Sequence, residues 1–196
     1  MSPPETTLPA VDTGGHARVS PPPLKDDART QFLRVFESLT NDIISDVDEH
    51  FDLPSAARAY IKRSVTYNVP HGKLNRGLAV AACFSAFCDA PAQSDVLLAN
   101  ILGWCVEWPQ AFVLDADDVM DASITRRGQP CFYKLPEIGL KAVNDSLMLE
   151  LHIYRVLRRY FRSHAQYLPL MELFQDVTYT TKIGAPCQSF LARACF

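Results

Sequence analysis

The stretch Ile101-Leu-Gly-Trp104-Cys-Val-Glu-Trp108-Pro-Gln110-Ala-Phe112-Val113-Leu114 runs directly into Asp115-Ala-Asp117-Asp118-Val-Met-Asp121. A segment this apolar reads as a helix buried over most of its circumference. Four carboxylates within seven residues at its end must then sit at the margin of a core, where like charges repel strongly. Helical geometry puts Asp117 and Asp121 one turn apart on one face, with Asp118 about 100° round the axis. Such a pair is stable only with cations between or beside its members. An all-oxygen donor set favours a hard ion such as Mg2+, which keeps several waters and usually bridges to a phosphate. Arg126 and Arg127 follow, and Gly128 and Pro130 close the segment. Guanidinium groups beside such acids suggest an anion held by metal and arginine together, and a diphosphate fits that description. The plain alternative is a solvated helix end with a local ion pair. The apolar helix leading into the acids argues against it.

A second constellation lies upstream in Asn68-Val-Pro70-His71-Gly72-Lys73-Leu-Asn-Arg76-Gly77. Pro70 and Gly72 break a helix, and Lys73 and Arg76 stand three residues apart at the far edge of the loop. In isolation this is a solvated turn. With the acids on a neighbouring helix, the two cations can clamp a second anion.

Asp117-Asp118-Val-Met-Asp121, followed by Ser123-Ile-Thr-Arg-Arg-Gly-Gln-Pro-Cys-Phe-Tyr133, resembles the first aspartate-rich motif of the trans-isoprenyl diphosphate synthases of the farnesyl diphosphate synthase type. The Lys73–Arg76 loop resembles the family's Gly-Gly-Lys-x-x-Arg loop, with His71 in place of the first glycine. Asn144-Asp145-Ser-Leu-Met-Leu-Glu150 resembles a third landmark, and the similarity is dense from about Phe32 to Gly184. The resemblance implies that Asp117 and Asp121 bind Mg2+, and that Asp117, Asp118, Asp121 and Arg126 form the catalytic set, with Arg126 on the allylic diphosphate. It implies that Lys73, Arg76, Gln110 and Arg127 hold isopentenyl diphosphate. It also implies that Phe112 and Val113, one turn below the acids, set product length as a pocket floor. Valine at the second floor position makes the pocket deeper.

The remainder of the chain is read from pattern. Residues 1–27 hold six of the fourteen prolines and few large apolar residues, so a disordered tail is expected there. It has neither the apolar run of a signal peptide nor the arginine-rich pattern of a transit peptide. Order is expected from Ala28, with Phe32, Phe36, Leu39, Ile43 and Val47 as one apolar stripe. A second helix is expected from Pro54 to Tyr67, and a third over residues 77–88, buried all round. Pro109 is expected to kink or interrupt the acid-bearing helix that begins near Ser94. Another helix is expected from Gly139 to Arg162, with Leu147, Leu151, Tyr154 and Leu157 on one face, and a last from Leu168 to Thr181. No stretch alternates with period two. The expectation is an all-α fold, the N-terminal part of an isoprenoid-synthase helical bundle, over residues 28–184, followed by a divergent tail over 185–196.

The net charge of −3 gives no basic excess, so nucleic acid is not an expected partner. No charge-free run of about 18 apolar residues suggests a membrane span. The six cysteines show no CxxC spacing and read as buried, reduced thiols of a cytoplasmic protein. The five histidines form no catalytic or metal-ligand spacing. The family's second aspartate-rich motif is not found in the 196 residues. The chain therefore reads as a C-terminally truncated prenyltransferase of weak or no activity alone, forming a homodimer or pairing with a full-length synthase. A non-catalytic partner or regulator of such a synthase is the alternative, and a metal-binding helical domain without turnover a third.

Overall fold

The computed structural model describes residues 27–194, with side chains as far as residue 184. The Pro-rich tail expected over residues 1–27 lies outside them except for Asp27, as do the side chains of 185–196 with Cys187 and Cys195. Among the described residues the elements are α1 (Ala28–His50), α2 (Ser55–Asn68), α3 (Asn75–Phe87), α4 (Gln93–Met120), α5 (Ala142–Phe161) and α6 (Tyr167–Ala194). α6 passes residue 184 without a break. Two single-turn 3-10 helices and one very short hairpin lie between α4 and α5. The hairpin pairs β1 (Thr125–Arg126) with β2 (Gln129–Pro130), a small departure from the purely helical expectation. The fold class is all-α as expected.

The stripe of α1 is buried at Phe32, Phe36, Leu39 and Ile43, while Val47 is half-buried. Asp27 caps the helix, accepting the Thr30 N–H at 2.8 Å. Phe32 stacks on Trp104 with ring centroids 4.3 Å apart, and the Trp104 Nε1–H donates to the Phe32 carbonyl at 2.7 Å. A buried indole thus has its polar atom satisfied while its ring fills the core.

α4 is the central rod, flanked by α3 and α5. It is long and apolar enough to cross a membrane, but more than half of its most apolar stretch is buried inside this fold, so core packing accounts for its composition. Of the kink or interruption expected at Pro109, the interruption does not occur: α4 runs on through it. A proline removes one backbone bond and its ring crowds the carbonyl four residues back, and packing along both flanks outweighs that cost of about 3 kcal/mol. α3 and α4 cross in backbone contact. A Cβ on Gly103 would meet the Gly77 carbonyl oxygen at 2.5 Å, and one on Gly77 would meet the Phe32 ring at 2.5 Å and the Gly103 carbonyl at 2.7 Å.

Two burial expectations are corrected. α3 is not buried all round: Gly77 is buried, Val80, Ala81 and Phe84 are half-buried, and Phe87 is 89% exposed. Its small apolar residues have neighbours on the α4 side, with little beyond. Cys83 is accordingly exposed, whereas Cys105 and Cys131 are buried free thiols. In α5 the buried stripe is Ala142, Asp145, Leu149, His152, Ile153, Val156, Leu157 and Phe161. Leu147 and Leu151 are 50% and 61% exposed. The apolar pattern misleads there because polar Asp145, Ser146 and His152 are buried instead. The helix itself starts at Ala142, since Gly139 at φ +56° opens a 3-10 turn before it.

Candidate active site

α4 stops at the acids. Asp121 is its C-cap residue and donates its N–H to the Asp117 carbonyl at 2.8 Å, which keeps the two side chains one turn apart. Asp121 is exposed and Asp117 half-buried. Burial, then the charge of Asp121, pushes the Asp117 carboxyl above its ordinary range, and Arg126 offsets this only in part. The pair thus lacks full counter-charge. Two oxygen donors in that state fit a hard divalent cation, and Mg2+ suits them.

Asp118 turns away from this face and is buried. Its Oδ1 accepts Nε and Nη2 of Arg126 at 3.0 and 2.6 Å. A reversal at the end of α4 makes this possible: Ala122 has φ +52°, and the Ser123 N–H donates to the Asp118 carbonyl at 3.0 Å. Beyond it the hairpin pairs Arg126 with Gln129 around Arg127 and Gly128, whose positive φ values, +53° and +81°, mark a two-residue primed turn. Arg126 therefore has only part of its fork available for a ligand, a restriction that spacing alone did not reveal.

Behind Asp118 lies a buried carboxylate group. Asp115 is 3% exposed and has no hydrogen-bond partner on either oxygen. Burial, Asp145 and Asp118 together push its carboxyl up to about 7. Asp145 is fully buried and accepts the Tyr60 hydroxyl at 2.6 Å. The sequence reading noted Asp145 inside a motif without giving it a role and passed over Tyr60. The signal for Asp145 was its place on the Asp145–Leu149–His152–Val156 stripe of α5.

The cations gather further back along α4, beside Gln110 and Glu107, about two to three turns before the acids. A cleft of about 240 Å³ is lined by His71, Lys73, Arg76, Glu107, Gln110 and Arg127. This brings together the four residues expected to hold one diphosphate. Arg76 Nη1 donates to Gln110 Oε1, and the Gly77 N–H donates to Glu107 Oε1 at 2.7 Å. Burial, then the nearby charges of Arg126 and Arg76, lowers the Arg127 guanidinium against an opposing pull from Glu107. An anion in the cleft would relieve that repulsion. Gly72 sits at φ +101°, where a Cβ would also stand 3.2 Å from Arg127 Nε. The glycine is needed at this second position. His71 is not among the positive-φ residues, so its presence does not strain the loop.

The two residues expected as a pocket floor diverge. Val113 is half-buried on the open face it shares with Asp117. Phe112 is buried in the core, with the Lys182 ammonium 5.5 Å over its ring and Lys182 bonded to Glu150 at 2.5 Å. A separate surface group, Asp46, Glu49 and His50, also gathers possible metal-binding atoms, but Arg155 already occupies Asp46 at 2.6 Å.

Comparison with known proteins agrees with this geometry. The sequence profile of the family "Polyprenyl synthetase" matches residues 58–194. A farnesyl pyrophosphate synthase of Panax ginseng is 42% identical over 160 residues, 81% of this chain and 46% of that protein. A farnesyl pyrophosphate synthase of Zea mays is 42% identical, again over 81% of this chain and 45% of its own length. Among solved structures, farnesyl diphosphate synthase of T. brucei superposes with a TM-score of 0.78 at 28% identity, covering 81% of this chain and 47% of that one. Its complex with homorisedronate gives the same TM-score at 29% identity, over 81% of this chain and 46% of that one. The chain spans about half the length of the curated relatives it matches. A profile match over more than half of its residues makes this chain a member of the polyprenyl synthetase family.

Proposed function

We propose that this chain carries the diphosphate-binding half of a Mg2+-dependent prenyltransferase site of the farnesyl diphosphate synthase type. The carrying observation is the succession of two electrostatic surfaces along one helix: an acid pair one turn apart at its end, and a cation cleft beside Gln110 and Glu107 about two turns before it. Lys73, Arg76 and Arg127 bind the diphosphate of isopentenyl diphosphate, with Gln110 orienting Arg76. Asp117 and Asp121 hold the metal. Bound there, Mg2+ supplies positive charge to the pyrophosphate leaving the allylic partner, dimethylallyl or geranyl diphosphate. Arg126 adds its remaining donors to that group, and Asp118 fixes its direction. The allylic carbon–oxygen bond breaks with its electron pair on pyrophosphate. The double bond of isopentenyl diphosphate forms the new carbon–carbon bond, and a proton leaves to the pyrophosphate. Val113, on the open face below Asp117, borders the growing tail, with Phe112 behind it. The buried free thiols Cys105 and Cys131 fit a cytoplasmic enzyme.

The test is incubation of the purified chain with radiolabelled isopentenyl diphosphate, geranyl diphosphate and Mg2+. Diphosphate binding with at most trace condensation is the expected result, because one aspartate-rich segment neutralises the leaving group from one side only. Absence of any diphosphate binding would overturn the reading. Turnover on the order of 1 per second or faster would show that other residues complete the site.

The exposed leucines favour a second reading. Val143, Leu147 and Leu151 form a stripe along the outer side of α5, with exposed Leu140 in the 3-10 turn before it, and Val177 and Ile183 are exposed on α6. Such a surface suits pairing with another copy or with a full-length synthase. Co-purification with that synthase, lost on Leu147→Asp, is the measurement that favours a partner role.

A further inference from the structure

The cation loop is not held by its own residues. Arg29, in the first turn of α1, donates Nη1 to the Lys73 carbonyl at 2.9 Å and Nη2 to the Gly72 carbonyl at 3.1 Å. These two bonds reach over more than forty residues of sequence. They land where the backbone is least ordinary, with Gly72 at φ +101° and Leu74 at φ +54°. Left-handed residues on both sides of Lys73 leave its two flanking peptide units with few constraints of their own. A guanidinium is planar and presents its two terminal nitrogens in a fixed fork, so it sets both carbonyl directions at once. Peptide units are planar and trans, so fixing the two carbonyls also turns the N–H groups of Lys73 and Leu74 away from Arg29. Arg29 is itself held in place, since Asp27 caps the same turn of α1 through Thr30.

We infer that Arg29 is a positioning residue for the anion cleft: its fork holds the Gly72–Lys73 backbone in the form that presents Lys73 and Arg76 to a diphosphate. This rests on the cleft's proposed role. Arg29 is not among the residues lining the cleft and acts through the loop.

The test uses the full chain and inorganic pyrophosphate, titrated by calorimetry, with Arg29→Gln, Arg29→Lys and Lys73→Met. Lysine keeps the charge and loses the fork, so both Arg29 variants should weaken pyrophosphate binding by about tenfold. Amide exchange at residues 72–74 should quicken in both, while the melting temperature stays near that of the unsubstituted chain. If Arg29→Lys binds as the unsubstituted chain and Arg29→Gln does not, charge alone acts and the positioning role is wrong. Unchanged binding and exchange in both variants would overturn the inference while leaving the cleft intact. An unsubstituted chain that binds no pyrophosphate, or one indifferent to Lys73→Met, would overturn the cleft's role and the inference with it.

Discussion

Asp118 gives one carboxylate oxygen to both Nε and Nη2 of Arg126, eight residues on and past the reversal at Ala122. The middle acid of the aspartate-rich segment is therefore a structural anchor for an arginine, while the acids on either side remain for a cation. A single segment thus divides its carboxylates by helical angle, about 100° per residue.

Coupling between Asp118 and Arg126 should be strong. Arg126→Lys retains charge but cannot form the fork, and should weaken Mg2+-dependent pyrophosphate binding by about tenfold or more. Asp118→Asn should weaken it similarly, and the double variant should be little worse than either single one. A double-mutant cycle by calorimetry checks this, and additive losses would show that the two residues act independently.

Metal-dependent binding should separate the acids. Asp117→Asn and Asp121→Asn should each abolish the Mg2+-dependent part of pyrophosphate binding. Asp115→Asn should leave it nearly intact, since that carboxylate is buried behind Asp118. Equal losses in all three, measured by titration with and without Mg2+, would contradict the assignment.

Acid should destabilise the fold through His152. Its Nε2 is buried without a partner, and burial lowers the imidazole from 6.5 to about 4, with Asp46 opposing and Arg155 reinforcing. A folded value below the unfolded one means that the unfolded chain binds the proton first. The stability due to neutral His152 is thus complete above about pH 6.5 and is lost as the pH falls towards 4. The loss should amount to about 3 kcal/mol at most. Urea denaturation from pH 7 to pH 4 should show this slope, flattened in His152→Gln.

The helical order, most of the α1 stripe and the gathering of Lys73, Arg76, Gln110 and Arg127 at one cleft were legible in the sequence because each follows from local periodicity or from residue chemistry at fixed spacing. The α5 stripe was not, because Asp145, Ser146 and His152 take buried positions that apolar patterning assigns to leucines. Burial of α3 was misjudged for a different reason. Apolar composition reports what a helix can bury, whereas exposure depends on which neighbours stand beside it. The Asp118–Arg126 fork was hidden because the chain reverses between them at Ala122, a non-glycine residue at φ +52°, a conformation that glycine usually supplies.

Substitution at the helix crossing should be felt at a distance. Gly103→Ala places a methyl group against the Gly77 carbonyl, which cannot yield as a side chain would. Despite the better helix propensity of alanine, the variant should lose about 1–3 kcal/mol of stability and bind pyrophosphate more weakly. Urea denaturation beside calorimetry measures both, and a stabilised variant with normal binding would refute it.

That crossing also acts as a datum for the whole site. Because Gly77 and Gly103 meet backbone to backbone, the spacing of α3 and α4 is set by covalent dimensions and not by any choice of side chain. From that origin Lys73 lies in the loop just before one arm, and Asp117 lies about 21 Å out along the other at the helical rise. Core mutations elsewhere can soften or stiffen the bundle without resetting the distance between its cation cleft and its acid pair. Under the proposed function, that distance gauges two phosphate-bearing molecules against each other by a scale graduated in peptide units.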